Sequence, residues 1–141
     1  NDFCVDFWVN KISNTGNQVL VDFREGPLNT NLGFVIYTWG SNPIGTLAIY
    51  TNGANIMVGP AIQIGVPTHI EISRTAGVMR MFVNGILVSS IFNSTNFTHG
   101  RLSIGMDSNS QGPLNGYIDE LRIKRGGGHL ENFTPPVAEY S

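Results

Sequence analysis

Apolar residues recur at every second position along most of this chain, and no stretch keeps a helical period for ten residues. Phe3, Val5, Phe7 and Val9 fall on one side of an extended chain, and Cys4, Asp6, Trp8 and Asn10 on the other. That is the pattern of a strand with one face buried. Similar runs follow at 18–24, 32–38, 45–51, 55–58, 68–74, 78–83, 86–91, 101–104 and 117–124. The 17 glycines and 7 prolines fall mostly between these runs, where positive φ or a missing N–H is tolerated. Asn84-Gly85 and Asn52-Gly53 each join two runs and carry the residues a two-residue type I′ hairpin turn needs. An all-β fold follows, a sandwich or a barrel of short antiparallel strands.

A chain of 141 residues is expected to form one domain. Only 13% of it is charged, so Asn, Ser, Thr and Gly must cover much of the surface. A net charge of −2 offers no clustered cations for phosphate, which argues against nucleic acid as a partner. No apolar run approaches the ~20 residues that span a bilayer, so membrane insertion is not expected. No basic-then-apolar leader opens the chain, and the start at Asn1 rather than Met suggests a piece of a larger assembly. The single cysteine, Cys4, forbids an internal disulfide and is expected to be a buried, inert thiol. Gly126-Gly127-Gly128 reads as a flexible joint, followed by an extended tail around Pro135-Pro136. Sequons at Asn93, Asn96 and Asn132 matter only for a secreted eukaryotic protein.

The segments "DFCVDFWVN", "HIEISR" with "VMRMFVNGILVSS", and "LSIGMDSNSQGPLNGYIDELRIKRG" resemble the concanavalin A-like, laminin-G-type jelly-roll domains. They recur in the family's order over nearly the whole chain. The resemblance implies two curved antiparallel sheets packed face to face, with residues 1–125 as the sandwich and 126–141 as the glycine-rich joint and extended tail. The closing stretch "DELRIKRGGGHLENFTPPVAEY" is similar to the end of laminin-G-type modules of bacteriophage virion proteins. That likeness implies a tail, fibre or capsid component on the surface of a virion. One departure is Pro67-Thr68-His69, where the family usually has Trp-His-His.

Each candidate chemistry has a plain alternative. Strict alternation sets Asp119 on the face opposite Ile118 and Glu120, so the two carboxylates cannot act as an acid–base pair. The resemblance implies a structural Asp119, tied to a neighbouring loop or to Arg122. A structural Ca²⁺ held by Asp107, Asn109 and Asp119 is the minority reading, and no other cofactor is expected. Glucanases of this fold carry an array similar to Glu-x-Asp-x-x-Glu on one strand, and none is present, so the chain is read as a non-enzyme. Sugars are held by aromatic faces and a few planar polar groups. Trp39, Tyr37, Tyr50 and Tyr117 are the aromatic candidates, with Asn42, Asn52, Asn109 and Asn115 as polar partners. The tyrosines fit equally as cover for a sheet face. Six Arg against two Lys would suit acidic polysaccharides, or simply paired charges on strand faces. Two functions remain open: a lectin-like module that binds host surface glycans through multivalent or oligomeric display, and a structural part contacting other virion proteins.

Overall fold

The alternating runs become ten strands and, among the described residues, no helix. A computed structural model of the chain describes residues 1–25, 33–98 and 101–137; the start of the run expected at 32–38 and the tail from 138 lie outside the described residues. The strands are β1 (Phe3–Lys11), β2 (Gln18–Asp22), β3 (Val35–Thr38), β4 (Thr46–Thr51), β5 (Ala54–Ala61), β6 (Thr68–Thr75), β7 (Val78–Val83), β8 (Ile86–Phe92), β9 (Ser103–Ile104) and β10 (Gly116–Arg125). They form two antiparallel five-stranded sheets, ordered β10-β1-β6-β7-β8 and β5-β4-β3-β2-β9. Phe7, Ile70 and Ile72 from the first sheet and Ile36, Leu47 and Ile49 from the second are fully buried in the core between them.

The two Asn-Gly turns form as their residues require, with φ of 49° and 80° at Asn52-Gly53 and 52° and 78° at Asn84-Gly85. A third hairpin, between β6 and β7, puts Ala76 at φ 50° before Gly77 at 81°. A Cβ at positive φ costs roughly 1 kcal/mol, so Ala76→Gly is expected to raise stability by several tenths to about 1 kcal/mol in a urea titration. A neutral or destabilising result would refute that reading of the turn.

The bulge between β1 and β10 corrects the strict alternation expected at Asp119-Glu120. Asp6 pairs with Arg122 but Trp8 pairs with Asp119, so one extra residue sits on β10. Ile118 and Leu121, three apart, both pack on the core, and Glu120 is the residue with positive φ, 53°. Arg122 does not reach for Asp119. It makes a bidentate pair with Asp6, both contacts at 3.0 Å.

The outer face of the first sheet is polar yet largely buried, because residues 126–137 lie across it. Glu71, 1% exposed, accepts the Cys4 thiol at 3.0 Å, and both its oxygens lie 3.1 Å from Nδ1 of His129 in the tail. Burial raises the Asp6 pKa, but hydrogen bonds from His69 and Arg122 outweigh it and hold the carboxyl below its ordinary value. The Phe133 ring stacks on His129 at 3.6 Å and meets Phe82 edge-on, while its N–H donates to Gly85 O at 2.9 Å. Of the three glycines expected to form a loose joint, Gly127 and Gly128 instead allow close approach. A Cβ on Gly127 would lie 2.0 Å from Thr75 Oγ1, and one on Gly128 2.6 Å from Ser73 Cβ.

Candidate functional site

On the outer face of the second sheet, β3 and β4 turn Ile36, Thr38, Leu47 and Ile49 inward and leave Tyr37 and Tyr50 half-exposed outside. Tyr37 lies opposite Val19 and Ala48, and Tyr50 opposite Val35, so the two rings are diagonal neighbours on one surface. Asn17, Arg24 and the β9–β10 connection at Asp107, Gln111 and Gly112 wall this surface into a cavity of about 310 Å³. Val19 N–H donates to Gly112 O at 2.8 Å, which ties that wall to the sheet.

The polar groups are held in place before any ligand arrives. Tyr37 donates its hydroxyl proton to Asn55 Oδ1 at 2.5 Å and accepts the Trp39 indole N–H at 3.1 Å, which fixes the tyrosine ring. Arg24 lies 5.8 Å over the Tyr50 ring and is clamped to Asp22 by two side-chain hydrogen bonds of 2.9 Å. The Arg24 N–H reaches Asp22 as well, also at 2.9 Å. Asp107 Oδ1 accepts the N–H groups of Asn109 at 2.8 Å and Gln111 at 2.9 Å, a local turn that sets the loop.

Of the residues proposed from sequence, the structure brings Tyr37, Tyr50 and Asp107 into this cavity. Trp39 is half-buried, does not line the cavity, and meets it only through its hydrogen bond to the Tyr37 hydroxyl. Asn42 and Asn52 are exposed turn residues with φ of 48° and 49° and do not line the cavity. Asn109 is exposed beside Asp107. Asp119 spends Oδ1 on the Glu120 N–H at 2.8 Å. Among the described residues no three His, Cys, Asp or Glu side chains converge as metal donors. Sequence reasoning missed Arg24, Asn17 and Gln111. The Asp22-x-Arg24 spacing was the available signal for the first of these, since it places both side chains on one face of a strand end.

Over residues 1–126 the sequence matches a laminin-G family of the concanavalin A-like lectin/glucanases superfamily. The chain belongs to this superfamily. Among curated proteins, none matches the sequence. Among solved structures the fold is similar to the CBM40 of the Ruminococcus gnavus IT-sialidase bound to α2,3-sialyllactose, with a TM-score of 0.73 and 14% identity over 92% of this chain and 78% of that one. It is also similar to domain 4 of an extracellular arabinanase from Geobacillus stearothermophilus in complex with arabinotriose, at TM-score 0.67 and 21% identity over 90% and 62% of the two chains. A heptameric pentraxin of Limulus polyphemus has TM-score 0.64 and 13% identity over 86% and 63%. These likenesses describe the jelly-roll fold.

Proposed function

We propose that this domain is a non-catalytic, lectin-like module that binds carbohydrate on Tyr37 and Tyr50. The observation that carries the reading is the cavity itself: two aromatic rings on one sheet face, ringed by Asn17, Gln111 and Asp107. Aromatic faces take the C–H surface of a sugar, and the polar rim orients its hydroxyls. The sialyllactose and arabinotriose complexes of proteins with this fold support a glycan as ligand. Among the described residues Asp107 is the one carboxylate in the lining, and glycoside hydrolysis by the usual route needs two, which supports binding without catalysis. The likeness of the closing stretch to phage modules supports display in many copies on a virion surface, where avidity raises a weak affinity by orders of magnitude.

The test is binding of the domain, presented multivalently, to bacterial surface polysaccharides and simple glycans, with calcium and with chelator. Tyr50→Ala and Tyr37→Ala are each expected to weaken binding about tenfold, the loss of one ring contact. Trp39→Phe is expected to weaken it less, because it removes only the hydrogen bond that fixes Tyr37. Chelator sensitivity would restore calcium to the account. Absence of binding across the panel would favour the second reading, a structural virion component. The half-exposed Ile12, Ile64 and Val66 near the end of β1 would then be its contact surface with neighbouring proteins.

A further inference from the structure

The charge balance of the cavity narrows the ligand class, an inference that rests on the proposed carbohydrate-binding function. Among the described residues two charged side chains line the cavity, Arg24 and Asp107. Arg24 is already neutralised: its side chain is clamped by Asp22, and that carboxylate is 0% exposed. An incoming carboxylate would meet only the remaining Nη1 edge of a guanidinium whose charge Asp22 already balances, and displacing Asp22 would leave that carboxylate buried and unpaired. It would also approach Asp107, a like charge. The stretches outside the described residues contain no Lys or Arg that would reverse this balance.

Asp107 is suited to the opposite kind of partner. Oδ1 is held by two N–H groups, and Oδ2 has no partner among the described residues. A carboxylate oxygen positioned in this way accepts hydroxyl protons, and ionised acceptors make the stronger hydrogen bonds. The Asn17 side chain keeps its amide protons free to donate, because its Oδ1 is the atom that accepts the Gly40 N–H, at 2.8 Å. We infer that the cavity selects neutral saccharides, with a sugar hydroxyl donated to Asp107 and the ring on Tyr37 and Tyr50, and discriminates against carboxylate-bearing ones. The arginine that lines this cavity is paired with Asp22, and Arg101 beside it donates to the Glu25 and Ser108 carbonyls, so the arginine count by itself does not make the cavity a reader of acidic polysaccharide.

The experiment compares matched ligands on the multivalent wild-type domain at low ionic strength: lactose with 3′-sialyllactose, and arabinotriose with an oligogalacturonate of equal length. Neutral members are expected to bind about tenfold more tightly, and the gap is expected to shrink as salt rises, because like-charge repulsion is screened. Asp107→Asn keeps an oxygen for the Asn109 and Gln111 N–H groups and removes the charge. It is expected to narrow the gap about threefold or more, with the thermal midpoint confirming an intact fold. Tighter binding of the acidic members by the wild type would overturn the inference while leaving carbohydrate binding in place. A gap unchanged in Asp107→Asn would do the same. Failure of all four ligands together with the wider panel would overturn the carbohydrate reading and this inference with it.

Discussion

Arg74→Met is expected to destabilise the fold by about 4 kcal/mol, because it strips three backbone carbonyls of a buried charged donor at once. Arg74 is 3% exposed, and its guanidinium holds the start of the chain and the segment after β8 together. Nε and Nη2 donate to Asn1 O at 3.1 and 2.8 Å, and Nη1 donates to Asn93 O at 3.1 Å and Thr95 O at 2.7 Å. Its cation also lies 5.1 Å over the Phe3 ring and 5.2 Å over that of Phe97. Burial lowers the Arg74 pKa and nearby Asp2 opposes the shift, so carbonyl dipoles and ring faces do most of the work of solvating the charge. Lysine concentrates its three N–H donors on one nitrogen and lacks the planar fork that spans these carbonyls, so Arg74→Lys is expected to recover only part of the loss. Urea titration measures the stability, and hydrogen exchange of the 93–97 segment reports whether the segment detaches. A loss below about 1 kcal/mol would show that water replaces the guanidinium at little cost.

The parts of this molecule legible in its sequence are those set by local chemistry. Asn-Gly pairs specify their own positive φ, so two hairpins and the registers beside them follow without knowledge of the rest. Alternation sets Tyr37 apart from Ile36 and Thr38, and Tyr50 apart from Ile49 and Thr51, but only the β3–β4 register puts the two rings on one face. The β10 bulge was not legible, since Glu120 adopts φ 53° only because β1 and the core fix Asp6 and Leu121 on either side of the extra residue. Nor does a run of three glycines reveal whether it bends freely or presses on a neighbouring strand; Thr75 and Ser73 decide that, some fifty residues earlier in the chain. Trp39 sits at a strand end beside a turn, where recognition residues are often found, but it does not line this cavity and donates its N–H to Tyr37. For the same reason an arginine count cannot show which cations are free, and Asp22 holds Arg24.

Lys11→Met is expected to stabilise the protein by about 2 kcal/mol near pH 7, an advantage that fades as pH rises. Lys11 follows Val9 in the inward register of β1, so alternation drives it into the core, where it is 0% exposed. Its ammonium donates to Thr38 Oγ1 at 2.5 Å, and no carboxylate among the described residues pairs with it. Burial pulls its pKa from the ordinary 10.5 down to about 8. Between those two values the unfolded chain binds a proton that the folded chain does not, so stability rises with pH across that window and is penalised in full below it. The buried amine thus costs about 3 kcal/mol at neutral pH, partly offset by its hydrogen bond to Thr38. Cys4 acts in the opposite sense: burial, reinforced by Glu71, pushes its thiol well above the ordinary 9.0, so its contribution is complete below that value and is lost progressively above it. Wild-type stability is therefore expected to climb between about pH 8 and 9 and then level off, whereas Lys11→Met, which keeps only the thiol, falls from about pH 9 upward. Urea titrations of both proteins at intervals from pH 7 to 10 isolate the lysine in their difference. An advantage that stays constant with pH would mean that Lys11 remains protonated throughout and that water or the flanking carbonyls solvate it.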